Sequence, residues 1–281
     1  MKLLVFGQSG QVARELARRL PADMTATFLG RDRADLSDPA ACAAAIAAHE
    51  ADAVINAAAW TAVDKAESEE AAALVINGDA PGAMARACVA KGMPFLHIST
   101  DYVFDGTKIG PYVETDTPNP QSVYGSTKLA GELEALANGS GVAVVRTSWV
   151  CGFYGNNMVK TVHKLAQERD SLSFVSDQIG HPTFTSDLAP LLHRLAVDRR
   201  DGIFHGTNQG AVSWHEFVQE IVRLMGKDPG MVHPITTAEL QPPRPAKRPA
   251  NSVLDNKALR DAGYAPTRDF REPLAELLRL L

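Results

Sequence analysis

Tyr124 and Lys128, four residues apart in the stretch VYGSTKLAGE (123–132), could carry acid–base chemistry. Residues at i and i+4 on a helix are surface neighbours, so a phenol and an ammonium placed there can address one bound object. Bringing a phenol from its free pKa near 10 towards 7 takes about 4 kcal/mol of differential stabilisation, part of which a neighbouring ammonium can supply. In a chain with five tyrosines such a spacing also arises by chance, and the elements around the pair decide its meaning.

Those elements belong to a chain of 281 residues, 45% hydrophobic and 22% charged, with a formal net charge of -5. This is an ordinary globular composition, long enough for one large domain or two small ones. A mildly acidic chain without an extended Lys/Arg cluster lacks the footprint of a nucleic-acid binder, so no nucleic-acid partner is expected. The apolar run of MKLLVFGQSG stops at Gly7 and no stretch approaches membrane-spanning length, which predicts no membrane association and a cytoplasmic location. Cys42, Cys88 and Cys151 are odd in number and widely spaced, fitting neither a disulfide framework nor a zinc site. They read as small buried apolar residues, and no metal ligands are expected.

Apolar runs at 2–7, 25–29, 52–59, 95–100 and 142–148 read as strands. They alternate with helical segments at 12–20 and 39–49 and with Ala-rich segments around 66–90 and 123–137. Continuous apolar strands separated by helices predict an α/β architecture, a doubly wound parallel sheet buried on both faces. After Val150 glycines, aromatics and prolines become frequent, ending in QPPRPAKRPANS (241–252). The expected division is 1–150 as a first domain and 151–281 mainly as a smaller substrate domain. A segment near 181–208, with GIFHGTN (202–208) as a strand, should return to the sheet.

The first strand-to-helix turn is GQSGQVA, Gly7 to Ala13. A dinucleotide site needs one glycine for the tight turn and another for close backbone approach, so that the pyrophosphate meets the free N–H groups of the helix amino terminus. Gly7 and Gly10 supply these in a G-x-x-G spacing, with Ala13 where a third, packing glycine would stand, and 1–150 accordingly reads as a dinucleotide-binding (Rossmann) domain. At the end of the second strand LGRDRADL offers Gly30 and Arg31 where an acidic residue would mark NAD, and a guanidinium suits a 2'-phosphate. Asp32 and Asp35 could also approach the ribose or adenine, so NADPH is the expected cofactor with NADH left open.

HISTDYVFDG (97–106) ends the fourth strand and brings Ser99, Thr100 and Asp101 to the carboxyl edge of the sheet, where the nicotinamide would lie. Thr100, Tyr124 and Lys128 behind G-x-x-G resemble the extended short-chain dehydrogenase/reductase superfamily. The resemblance implies that Tyr124 is the acid/base, that Lys128 holds the nicotinamide ribose and favours phenolate, and that Thr100 binds the substrate oxygen. Six blocks in order narrow it: NAAAWTAVDKAESE (56–69), STDYVFDG, YGSTKLAGE, RTSWVCGFYGNN (146–157), DQIGHPTFTSDLA (177–189) and RPANSVLD (248–255) are similar to the dTDP-4-dehydrorhamnose reductase family over nearly the whole length. That family implies NADPH-dependent reduction of the C4 ketone of dTDP-4-dehydro-L-rhamnose. It further implies that Gly10, Gln11 and Val12 meet the pyrophosphate, Asp35 and Leu36 the adenine side, Ala59, Trp60 and Thr61 the cofactor, and Thr100, Asp101 and Trp149 the sugar nucleotide.

An indole after the fifth strand would give the deoxysugar a flat apolar wall, and Arg248 and Asn251 of the RPANS segment would meet the nucleotide half from the other side. The chain departs from the family at Ala13, Trp60 and Cys151, where a glycine, a histidine-like residue and an aromatic are common. Some family members hold magnesium between subunits through acidic residues, which leaves a homodimer and a magnesium requirement open. Glu15 is a counterpart in position, but the other ligands do not map and Glu15 reads as a surface glutamate. The alternatives are another dTDP-sugar 4-ketoreductase or epimerase on the same fold, and a non-catalytic regulatory subunit like the similar chain that attends methionine adenosyltransferase.

Overall fold

The computed structural model describes all 281 residues. Its centre is a six-stranded, wholly parallel sheet. In chain order the strands are β1 (Lys2–Phe6), β2 (Thr25–Leu29), β3 (Ala53–Asn56), β4 (Phe95–Thr100) and β5 (Val142–Thr147), with Gly202–His205 as the last. In space they run Gly202–His205, β5, β4, β3, β1, β2, so the order reverses between β1 and β3. Such a reversal opens a crevice at the carboxyl ends of the strands. Gly202–His205 lies at the sheet's edge, where its Phe204 pairs in parallel with Val145 of β5.

Side chains alternate across each strand and both faces are covered. Leu4 and Phe6 pack with Ile46 of the helix α2 (Pro39–Ala48) and with Met84 and Cys88 of the helix Ala80–Ala90. Leu3 and Val5 pack with Leu16 of α1 (Gln11–Arg18) and with Leu188 and Leu192 of the helix Thr185–Val197. The late residue Leu259 joins that second face, so the chain revisits the sheet once more near its end. All three cysteines are buried and free.

A second core, in which Val159, Val162, Phe217, Ile221 and Phe270 meet, lies under the helices Met158–Glu168, Trp214–Leu224 and Arg271–Leu278. It is edged by the parallel pair Leu172–Val175 and Val232–Ile235.

Two expectations need correction, and one stretch gains detail. The run 52–59 is a strand only to Asn56, because Ala57–Ala59 leave the sheet and line a cavity. Within the Ala-rich stretch 66–90, for which composition set no boundaries, a π-helical turn at Val75–Asp79 joins the short helix Glu70–Leu74 to Ala80–Ala90. Glu15 is not a surface residue. It is 1% exposed, and its carboxylate accepts from Arg19 at 2.6 Å and Arg18 at 3.2 Å.

Candidate active site

One cavity of about 660 Å³ runs along the carboxyl edge of the sheet, from Gly30 and Leu36 at one end to Trp149 and Trp214 at the other. Its first wall is the turn after β1. Gly7 has φ of +105°, and a Cβ there would come within 3.3 Å of the Ala57 backbone, so only glycine fits without strain. Gly10 is the N-cap of α1 and no side chain caps the helix, which leaves its first-turn N–H groups to the cavity. Gly10, Gln11 and Val12 all line it. This cradle is of the kind that holds a pyrophosphate, and three buried hydroxyl or carboxylate oxygens without a hydrogen-bond partner lie on residues further along the wall: Ser99 Oγ, Thr147 Oγ1 and Asp101 Oδ2. The residues therefore fit a dinucleotide with a polar substrate beside it.

At the β2 end, Arg31 is exposed and lies 3.9 Å from Asp35. The Asp35 carboxylate accepts the Ser37 N–H at 2.9 Å, and that bond holds its carboxyl below the usual range. Arg31, Asp35 and Leu36 line the cavity, as do Ala59 and Thr61. Trp60 does not. Its indole N–H donates to Ala62 O at 3.1 Å, its face carries Lys65, and its backbone is clamped by the Asn77 side chain.

The reacting end is built by two elements. Thr100 closes β4, and its hydroxyl accepts the Tyr102 N–H at 3.2 Å and donates to Asp101 Oδ1 at 2.9 Å. The helix Val123–Leu136 is capped by the Ser122 hydroxyl, which accepts the Gly125 N–H. That helix carries Tyr124 and Lys128 into the cavity. Close approach explains the small residues around them: a Cβ on Gly125 would lie 2.2 Å from Tyr102 O, and one on Gly131 would lie 2.0 Å from Asn77 O. Burial pushes the Tyr124 phenol up to about 12, with hydrogen bonding to Thr100 opposing and Asp101 adding to the rise. Burial draws Lys128 down to about 8 against the pull of Glu132. Lys128 Nζ lies 2.7 Å from Ile98 O and 3.1 Å from His97 Nε2. Burial also raises Asp101 to about 6.

Trp149 holds φ of +45°, a left-handed conformation that a bulky residue rarely adopts. Its indole stacks on Trp214 with centroids 3.6 Å apart and 10° between planes. The RPANS residues do not line the cavity. Arg248 is tied to both carboxylate oxygens of Asp64 at 2.7 and 2.8 Å. Asn251 Nδ2 donates to Lys108 O and Gly110 O, each at 2.8 Å. Sequence reasoning missed Gln8, Thr147, Trp214 and the Asn157 side chain, which donates to Gln11 Oε1 at 2.9 Å. Only Trp214 left a signal, as an aromatic just inside the Ser213–Glu216 capping box.

Residues 1–281 match a family model described as the RmlD substrate binding domain. The chain is 44% identical over 286 residues to a dTDP-4-dehydrorhamnose reductase of Burkholderia thailandensis, covering 96% of each. It is 41% identical to a probable dTDP-4,6-dihydroxy-2-methyloxan-3-one 4-ketoreductase of Streptomyces antibioticus, covering 98% of this chain and 94% of the other. A crystal structure of dTDP-4-dehydrorhamnose reductase from Bacillus anthracis in complex with NADP matches with a TM-score of 0.95 at 32% identity, covering 100% of this chain and 99% of that one.

Proposed function

Because the chain belongs to the RmlD substrate binding domain family, we propose that it reduces the C4 ketone of dTDP-4-dehydro-L-rhamnose with NADPH, giving dTDP-L-rhamnose. The observation that carries this reading is the meeting of Thr100, Tyr124 and Lys128 in the same cavity that the Gly7–Val12 cradle lines.

When bound, the reduced nicotinamide supplies the hydride that C4 accepts. The chain's residues do the rest. Tyr124 is protonated at neutral pH, and its Oη gives a proton to the developing alkoxide, a contribution typically worth about 10²- to 10⁴-fold. Lys128 is charged at neutral pH and stabilises the phenolate that remains. Thr100, oriented by the Tyr102 N–H and Asp101, holds the substrate oxygen. The Gly7–Val12 turn would hold the pyrophosphate, with Gly10, Gln11 and Val12 nearest to it. Trp149 and Trp214 give the deoxysugar its apolar wall.

Arg31 favours NADPH over NADH: it is free to meet a 2'-phosphate because its only ion pair, with Asp35, is loose at 3.9 Å. Relatives whose names specify other dTDP-sugar ketones, such as the Streptomyces antibioticus protein, support a second reading in which C4 of a different dTDP-hexose is reduced by the same residues. The deciding experiment follows nicotinamide oxidation at 340 nm with dTDP-4-dehydro-L-rhamnose and with dTDP-4-keto-6-deoxy-D-glucose, each with NADPH and NADH. Turnover of the rhamnose precursor with a roughly tenfold or greater NADPH preference that Arg31→Ala removes is expected, the size of one charge-assisted hydrogen bond. Turnover of only the second ketone selects the second reading, and no turnover of either rejects both.

A further inference from the structure

Lys128 reaches from the cavity into the sheet. Its Nζ lies 3.1 Å from Nε2 of His97, a fully buried residue of β4. On the other side of the ring, Nδ1 lies 3.1 Å from Nδ2 of Asn56, the last residue of β3. Asn56 Oδ1 in turn accepts the Ala58 N–H at 3.1 Å. A continuous polar chain thus links the lysine of the reacting helix to the Ala57–Ala59 wall of the same cavity.

Burial, with the charge of Lys128 acting in the same direction, holds His97 well below its ordinary range, so the ring is neutral and has one proton and one lone pair. With Asn56 Oδ1 committed to Ala58, the amide faces His97 with a donor. Nδ1 then accepts, Nε2 carries the proton, and Lys128 must offer the lone pair of a neutral amine. A charged Lys128 donates to Nε2 instead. The ring proton then sits on Nδ1, and Asn56 must turn its amide oxygen to the ring, releasing the Ala58 N–H. The heavy atoms occupy the same places in both arrangements. Lysine charge, ring tautomer and a backbone donor of the cavity wall form one linked set.

We propose that His97 is a positioning residue: it holds Lys128 in place and ties the lysine's charge to the cavity wall at Ala58. The proposal rests on the reductase reading, in which Lys128 serves the nicotinamide cofactor and Tyr124. The groups around the pair come from four elements. Tyr124 and Glu132 share the lysine's helix, Arg146 of β5 pairs with Glu132 at 2.6 Å, Asn56 comes from β3, and Ile98 O from β4.

The test is a double-mutant cycle between His97→Leu and Lys128→Met, with His97→Gln as the conservative variant. NADPH dissociation constants are read from the fluorescence of the bound nucleotide between pH 6 and 10, beside the pH profile of turnover. His97→Leu is expected to weaken NADPH binding about tenfold and to move the alkaline limb of the profile down by about one pH unit, because a buried ammonium has lost an acceptor. His97→Gln, which can donate and accept, should recover most of both. In the Lys128→Met background His97→Leu should change binding less than about twofold. Additive losses, or lost thermal stability with an unmoved pH profile, would overturn the proposal. If His97→Leu does not fold, His97→Asn, too short to span both partners, takes its place. Should the wild type turn over no nucleotide sugar, the reductase reading fails on its own, and the binding cycle still reports on His97 and Lys128.

Discussion

At the reacting edge, Tyr124 and Lys128 are shifted in opposite directions by the same cause. Burial disfavours the charged form of each, raising the phenol to about 12 and lowering the ammonium to about 8. At neutral pH, below both values, the resting site holds a proton on Tyr124, as its proposed role of acid requires, and a charge on Lys128. Tyr124→Phe should therefore lower kcat at least about a hundredfold while NADPH affinity and thermal stability stay near those of the wild type, since only the proton donor is removed. A Phe variant that retains most of its kcat would reassign the acid. Asp101 makes a second prediction. Its folded value near 6 lies above the free value of 3.8, so ionising it in place costs stability above about pH 6. The cost fades as pH falls through 6 and is gone only below about 3.8, where the carboxyl is protonated in both states. About two units correspond to about 3 kcal/mol. Asp101→Asn should raise the Tm by several degrees at pH 8 and by much less at pH 4.5, as followed by circular dichroism. An equal gain at both values would remove the charge as its cause.

The strands and helices that position these residues were largely legible in the sequence, because each strand of a parallel sheet buried on both faces is a continuous apolar run ending at the chemistry. HIST ends at Thr100 for that reason, and GQSG turns where β1 ends. What could not be read were features set by a neighbour. Asn56 ends β3 because Ala57–Ala59 leave the sheet, although the apolar pattern continues through them. The π-helical turn at Val75–Asp79, just ahead of Pro81, places Asn77 between Trp60 and Thr127, a placement that composition does not reveal. The glycines of YGSTKLAGE are set by their neighbours in the same way. Gly125 lets the reacting helix sit against Tyr102 O, where an added Cβ would lie 2.2 Å away, a contact only backbone movement can relieve. Gly125→Ala should cost about 1–3 kcal/mol as overpacking, and it should lower kcat by more than the control Ser126→Ala on the exposed side of the same helix. Thermal unfolding and turnover measured on both variants decide this. If Gly125→Ala keeps full activity, the seat of the helix is looser than the contact implies.

On the scale of the whole molecule, the cavity is made by bringing two cores together, which is why the sequence located one wall well and the other poorly. The Gly7–Val12, Thr100 and Tyr124 wall comes from consecutive units of the sheet layer. The facing wall depends on where the later segments come to rest. Arg248 stood in a segment that looked fit to meet a nucleotide, yet it is spent on Asp64. Trp214, 65 residues after Trp149 in sequence, arrives on the helix Trp214–Leu224 and stacks against it. The stack supports a tryptophan whose backbone is held at φ of +45°, and stacked aromatic pairs contribute about 0.5–1.5 kcal/mol beyond the area they bury. If this pair is the wall for the sugar, Trp214→Ala should raise KM for the sugar nucleotide about tenfold and leave the NADPH dissociation constant within about twofold, with Trp214→Phe between the two. The near-ultraviolet circular dichroism of the coupled indoles should vanish in Trp214→Ala and weaken in Trp214→Phe, which links the kinetic loss to the stack. An NADPH affinity that falls as far as that of the sugar nucleotide would place the tryptophan pair at the nicotinamide end of the cavity instead.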